Sequence, residues 1–384
     1  MEIFLLIAGA ILGVIFSEYW IKIKRNILNK VRYKKAVKNV QNLGFSPEPG
    51  FKYFDHAIPA YERNHLKTEM SDSKMIIEIP KEFAIHLNSS NFIFRKQNIS
   101  AWEEQLKKTF NHLGIDNYQS ILKESAYEVA LQMQKDINYG LQRFNGEMLG
   151  VKQIHLQRIG EDEQSSLRIT FYKTDFFTFR VFANIYQKYK HLIKVKGIQD
   201  LNSYYTPFLS SFGISNYLII DDGKEDKVLF GYRSNNVSVD KNKIHYSMNE
   251  AFSLKDVDTT ENHFKLSLNT CLKRGLREEL GIASDIQDSN LEKFGFMSLL
   301  MDVNRFELGL SSYARLRIDE SFTLSDFKRA YHSAQDSELE TDGLSLIKIK
   351  DVPNFVKTNN LEMSVGARNV INTLLARYKA GYFK

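Results

Sequence analysis

Glu278 and Glu279 carry the most suggestive chemistry in the chain, within the stretch CLKRGLREELGI at 271–282. A helix brings positions i, i+3 and i+4 onto one face, so carboxylates at 275, 278 and 279 would aim at one point. A hard divalent cation is gripped by several such oxygens, and metal-assisted hydrolysis also needs a base or an oriented water beside it. Positions 278 and 279 keep their carboxylates. Position 275 is Gly, which offers no ligand and costs about 0.5–1 kcal/mol relative to Ala inside a helix. Asp302, Glu307 and Glu261 are carboxylates that the fold would have to bring in from elsewhere. Arg274 and Glu278 form an i,i+4 pair, which serves helix stability as readily as it serves ligand contact. Cys271 is the only cysteine, so an intramolecular disulfide is excluded and a reducing compartment is expected. On the apolar side of its helix it reads as a small buried residue rather than a catalytic thiol.

The elements that must position these residues occupy 210–384. ISNYLIIDD (214–222) and KVLFGYRSNN (227–236) read as strands joined by the turn GKED, and KIHYSMNEAFSL (243–254) as a loop and strand. A helix of about twenty residues is predicted from Thr260 to Leu280, closed by Gly281. FGFMSLLMDV (294–303), FELGLSSYARLRI (306–318) and LSLIKIKDV (344–352) are expected strands, and SVGARNVINTLLARYKAGY (364–382) an amphipathic helix. Sheet and helix in this order predict an α/β sandwich. Upstream, 55–205 is expected to form a mixed α+β domain. MIIEIP (75–80), FAIHLN (83–88), 151–160 and 166–189 read as strands; 99–114, with Ser100 as cap, and 118–144 read as helices. Its aromatics, Phe171, Tyr172, Phe176, Phe177 and Phe179, are assigned to its core rather than to base stacking. LGFSPEPGFKYF (43–54) is the best linker.

The stretch at 271–282 resembles the end of a Nudix box, GX5EX7REUXEEXGU with U aliphatic. Gly281 and Ile282 fall on the closing pair, Glu278 and Glu279 on the EE pair, Leu276 on the aliphatic position and Arg274 on the arginine. The departures are Gly275 for the first Glu of the RE pair, Leu266 for the upstream Glu and Thr260 for the leading Gly. The resemblance implies a C-terminal α/β/α sandwich at 210–384, shaped for a nucleoside diphosphate derivative. Its ligand contacts would come from Arg233, Tyr246, Glu250 and Phe252 before the box, Arg274, Glu278 and Glu279 within it, and Arg305 after the next strand. Glu278 and Glu279 are the candidate metal ligands, magnesium being needed only if hydrolysis persists. With position 275 empty, loss of hydrolysis is the expected outcome and no catalytic residue is assigned.

Charge and hydropathy place the chain. IFLLIAGAILGVIF (3–16) is uninterrupted apolar sequence, extended by SEYWI to Ile21. That reaches the roughly 20 residues needed to span a bilayer, with Tyr19 and Trp20 at its interface. Glu2 ahead of the run and the bulky YWIKIKR after it do not suit a cleaved signal peptide. A single transmembrane anchor at 1–21 is expected, then a basic juxtamembrane helix and linker at 22–54. Eight of the 52 Lys and Arg lie between Ile21 and Pro47 without an Asp or Glu; the remainder of the chain holds 44 basic against 46 acidic residues. The positive neck predicts cytoplasmic domains on a lipid surface, and the balanced remainder excludes a DNA- or RNA-polymer binder on charge grounds. Gly9 and Gly13 form a GxxxG pair suited to helix packing in lipid.

Anchor, basic neck, unassigned middle and incomplete box together resemble the SMODS-associated Nudix proteins, predicted effectors of CBASS-type anti-phage systems. That resemblance implies a bacterial inner-membrane protein whose Nudix domain senses a cyclic nucleotide and whose anchors cluster, as a homo-oligomer, to disrupt the membrane. A membrane-tethered active hydrolase of a nucleoside diphosphate derivative is the alternative, and a ligand-free regulatory scaffold a third.

Overall fold

The computed structural model describes residues 20, 50–57, 60–84, 102–139, 145–160, 164–235, 240–258, 265–334 and 341–383. The apolar run with Gly9 and Gly13, the basic neck up to residue 49, Ser100 and Glu261 lie outside the described residues. No helix among the described residues is long and apolar enough to cross a membrane.

The chain opens with β1 (Phe51–His56) and β2 (Leu66–Lys74), followed by α1 (Glu103–His112), α2 (Tyr118–Asn138), β3 (Glu147–Ile159), β4 (Gln164–Asp175) and α3 (Phe176–Tyr189). Short helical turns at 198–208 lead to β5 (Phe212–Asp221), β6 (Asp226–Arg233), β7 (Ile244–His245) and β8 (Met248–Ala251). The small pair β9 (Val257–Asp258) and β10 (Lys265–Leu266) precedes α4 (Leu268–Glu278) and α5 (Ser284–Asn290). Then come β11 (Leu291–Asp302), β12 (Glu307–Arg317), α6 (Leu324–His332), β13 (Thr341–Lys348), α7 (Val352–Thr358) and α8 (Val365–Lys379).

The result is a mixed α/β fold built on two principal sheets. The larger runs β1-β11-β12-β5-β6-β13, with β8 on β5 and β7 on β6. Only its β12–β5 pairing is parallel, in register from Leu308↔Phe212 to Arg317↔Asp221. Both faces of β5 are buried. Phe212, Ile214, Leu218 and Ile220 join the core that holds Leu272 and Leu276 of α4. Tyr217 and Ile219 join the core beneath α7 and α8. The smaller sheet, β2-β4-β3, is covered by α3, on which α2 packs.

Several expectations are corrected. The last four residues of the expected linker 43–54 are strand: β1 (Phe51–His56) pairs with β11 from Phe51↔Asp302 to His56↔Ser298 and becomes an edge of the larger sheet. Residues 166–189 change from strand to helix at Asp175, whose side chain accepts the Thr178 N–H and caps α3. From there Phe177, Val181, Phe182, Ile185 and Tyr186 repeat at helical spacing on the buried face. MIIEIP runs extended outside a ladder, fixed by Met75 N–H to the Lys173 carbonyl (2.9 Å) and Ile77 N–H to Thr178 Oγ1 (2.8 Å); 83–84 is a turn and 85–88 lies outside the described residues. The box helix is shorter than predicted, because Ser267 accepts the Thr270 N–H and starts it at Leu268. LSLIKIKDV leaves its strand at Lys348. α8 is not amphipathic: Gly366 to Arg377 is buried on every side.

Candidate functional site

The box helix is held by its arginine. Arg274, 9% exposed, donates from Nε to Asp256 Oδ1 (2.8 Å) and from Nη2 to Asp256 Oδ2 (3.0 Å), a two-pronged bond to a fully buried carboxylate. Nη2 also donates to the Ala251 carbonyl at 2.8 Å, and Nη1 meets Glu250 Oε1 at 2.8 Å and Glu278 Oε2 at 3.3 Å. Asp256 in turn accepts the Ser253 N–H, and its carbonyl accepts the Ser267 N–H ahead of the helix. Arg274 thus fastens α4 to the end of β8 and the following turn. Cys271 is fully buried against this group, and burial pushes its thiol well above the ordinary value.

Gly275 has a packing reason. A Cβ there would lie 2.5 Å from Met248 Sδ and 3.0 Å from both Met248 Cε and Glu250 Cβ. A side chain at 275 would therefore have to displace the end of Met248, and Glu250 Cβ would have to give by a few tenths of an ångström. Gly281 ends the helix with φ +70°, where a Cβ would meet the Ala330 carbonyl at 2.0 Å.

Glu279 accepts the Asn249 N–H of β8 with both oxygens, at 3.2 Å each. Glu278 is drawn between Arg274 and Arg277, at 3.3 and 3.2 Å. Glu250, mostly buried, has its pKa pushed up to about 7, by burial first, against the opposing charge of Arg274. Between the ordinary value of 4.5 and about 7, the folded protein therefore holds a proton that the unfolded chain has released. The unfolding midpoint should fall as pH rises across that interval and level off above it. Urea titrations from pH 5 to 8 should show a slope that Glu250→Gln reduces; an identical slope in the variant rules Glu250 out as its source.

A cleft of about 210 Å³ opens along β5, β8 and the start of β12. Its floor includes Gly213 and Gly309, paired across β5 and β12. A Cβ on Gly309 would sit 2.6 Å from the Gly213 carbonyl, and one on Gly213 3.2 Å from the Glu250 carbonyl, so the floor is bare backbone. Phe51, Phe212 and Tyr246 line it together with Met148 and Phe179, which belong to the unit built on the smaller sheet. Its charged lining comprises Arg233 and Arg305 against Asp240, Glu250, Asp302 and Glu307. Arg305 donates to Asp302 (2.6 Å) and Asp240 (3.1 Å) and lies 3.9 Å from Glu307. Burial raises the Glu307 carboxyl, Arg305 opposing and Asp302 reinforcing. His245 is buried between Arg233 and Arg305, and burial first and those charges next keep it neutral.

The structure thus divides the residues singled out from sequence. Arg233, Tyr246, Glu250 and Arg305 come together at the cleft. Phe252 does not: it is fully buried, packed on Phe171 and Phe212. Arg274 is a buried clamp, and Glu278 and Glu279 are engaged within the protein. Phe179, assigned to the core of the middle domain, is partly exposed and lines the cleft. Sequence reasoning missed Asp240, His245, Asp256 and Met148. Gly213 and Gly309 carried a signal, since glycine inside a strand marks close backbone approach.

A magnesium ion of the kind the box implies does not fit these residues. Position 275 supplies no ligand and is occupied by the end of Met248, Glu278 faces two guanidinium groups, and Glu279 is spent on a backbone amide. Among the described residues no group of three or more His, Cys, Asp or Glu is arranged to hold a metal.

No protein-family model matches the chain, and no curated protein does. Solved structures that it resembles are Nudix proteins, each over less than half of its length. The Nudix domain of NrtR from Shewanella oneidensis, solved with ADP-ribose, is 11% identical over 44% of this chain and 87% of that one, at a TM-score of 0.26. The C. elegans Ap4A hydrolase, in a binary complex, is 11% identical over 45% and 98%, at 0.25. A mutT/nudix family protein of Listeria innocua is 10% identical over 45% and 96%, at 0.26.

Proposed function

We propose that the chain is a nucleotide sensor that holds its ligand without hydrolysing it. One observation carries this reading: Gly275 is packed against Met248 where a box would carry its first glutamate, while a cleft with arginine, aromatic and carboxylate groups opens along the same strand, β8. Metal-assisted hydrolysis needs a held cation and an oriented nucleophile; neither requirement is met by Glu278 and Glu279 as they are engaged here.

In its finer form the protein is a bacterial inner-membrane effector of anti-phage defence, activated by a cyclic oligonucleotide. The apolar run 3–16, the eight-residue basic excess after it and the incomplete box support this reading. Ligand-driven self-association would bring anchors together through Gly9 and Gly13, and tethering in two dimensions lets modest contacts suffice. A second reading, a membrane-tethered hydrolase, is favoured by the retention of both Glu278 and Glu279.

The test mixes the full-length chain in detergent with magnesium and a panel of linear and cyclic nucleotides, and reads ligand fate by mass spectrometry. An intact nucleotide recovered on the protein is the expected result. Cleaved products, abolished by Glu279→Gln, would replace the sensor with the hydrolase. A chain that retains no nucleotide at all would leave neither.

A further inference from the structure

We propose that the cleft receives the ring of its ligand rather than its phosphates: a purine with two adjacent N–H donors, stacked by Phe179 and read along its edge by Glu307. This rests on the nucleotide reading above and goes beyond it by naming the moiety and assigning the upstream unit a part in binding.

Size comes first. Sites for whole drug-sized ligands occupy about 300–1,000 Å³, and 210 Å³ suits a single ring system with the rest of the molecule outside. Shape agrees: glycines 213 and 309 expose backbone in the lining, and Phe51, Phe179 and Tyr246 add aromatic faces. Every base has a π-face, and stacking on aromatic side chains is a general means of holding it.

Charge decides which part enters. Of the two arginines that line the cleft, Arg305 is already committed to Asp302 and Asp240, which leaves little positive charge to hold a phosphate. Glu307 is the least engaged of the four carboxylates. Its side chain is 36% exposed and 3.9 Å from Arg305, whereas Asp302 takes the Asn304 N–H and Arg305 Nε, and Glu250 takes Arg274 and the Ala251 N–H. Against the burial that raises Glu307, Arg305 and Arg180 favour its ionised form; ionised, a carboxylate is acceptor-only and pairs with two neighbouring donors, which is the guanine edge. Adenine offers one donor beside one acceptor and does not match it.

The upstream unit also holds the turn that carries these groups. On α3, Tyr186 donates to the Val303 carbonyl and Gln187 to the Asn304 carbonyl (2.8 Å). Phe306, in the left-handed region at φ 60°, packs on Tyr186 and Phe208. Backbone strain of this kind persists where surroundings enforce it. The helix that supplies Phe179 therefore also fixes the Asp302–Phe306 turn ahead of Glu307.

The experiment titrates full-length protein in detergent, without magnesium, with guanosine and adenosine 5′-monophosphate, and repeats the intact-nucleotide panel. Wild type should prefer the guanosine ligand. Phe179→Leu, which keeps apolar volume but loses the ring, should weaken it roughly ten- to hundredfold at an unchanged melting temperature, and Phe179→Tyr should restore binding. Glu307→Gln, offering one donor and one acceptor, should shift the preference toward adenosine. Panel nucleotides that bind with equal affinity to wild type, Phe179→Leu and Glu307→Gln would leave the sensor standing and overturn the ring site. A wild type that prefers adenosine would overturn the assignment to Glu307. Absence of any nucleotide binding would remove the sensor reading and this one with it.

Discussion

Arg274→Met should lower the free energy of unfolding by about 3–5 kcal/mol, the usual consequence of removing one partner from a buried ion pair. Asp256 has no exposed surface; Oδ1 takes Arg274 Nε, and Oδ2 takes Arg274 Nη2 beside the Ser253 N–H. Without that fork a fully buried carboxylate loses its cationic partner, and Glu250 loses its counter-charge as well. Arg274→Lys should remain well below wild type, since one ammonium cannot reproduce the two-pronged geometry. Equilibrium urea unfolding followed by fluorescence measures both. An Arg274→Met protein within about 1 kcal/mol of wild type that had nonetheless lost nucleotide binding would move Arg274 from scaffold to ligand contact.

Gly275→Glu, the change that completes the box on paper, should damage the protein and create no enzyme. The new Cβ alone would overlap Met248 Sδ, and overpacking of this kind costs about 1–3 kcal/mol. The added carboxylate would also lie against Glu250 and near Glu278, two like charges that already disfavour one another. A loss at the upper end, about 3 kcal/mol, is expected, with no magnesium-dependent release of phosphate or nucleoside monophosphate. The crowding has its own check. Gly275→Ala sets a gain of about 0.5–1 kcal/mol in helix propensity against displacement of Met248, and the crowding should appear as a favourable coupling with Met248→Ala in a double-mutant cycle. Magnesium-dependent turnover in a stable Gly275→Glu protein would mean that β8 yields readily and that Gly275 is a simple loss of function.

The helix α4 shows how far the residues alone could be read. Its period, its closing glycine and the missing carboxylate were legible, because capping and helical spacing are local properties. Its start was not: the short β9–β10 pair preceding it and the Ser267 cap displaced the expected Thr260 to Leu268. Phe51–His56 was misread for a different reason. Its proline-rich approach resembles a linker, and only pairing with β11, some 240 positions on, makes it a strand. Residues 166–189 carried aromatics suited to either period, and one side-chain hydrogen bond from Asp175 settled where strand gives way to helix.

By itself the sequence determined a mixed α/β protein, the register of a box that lacks its first glutamate, and an N-terminal apolar run followed by positive charge. Those follow from period, turn chemistry and composition, which act over a few neighbouring residues. The tertiary structure alone decided what each charged group does. Arg274 and Phe252 went to the interior, Glu278 and Glu279 were engaged by partners, and Arg305 met Asp240 and Asp302. Phe179, from a segment about 130 positions away from Glu307, was brought to the same cleft. The burial and partners that fix a charge's role, or leave an aromatic ring open to a ligand, are supplied by contacts between distant segments, and no local pattern encodes them.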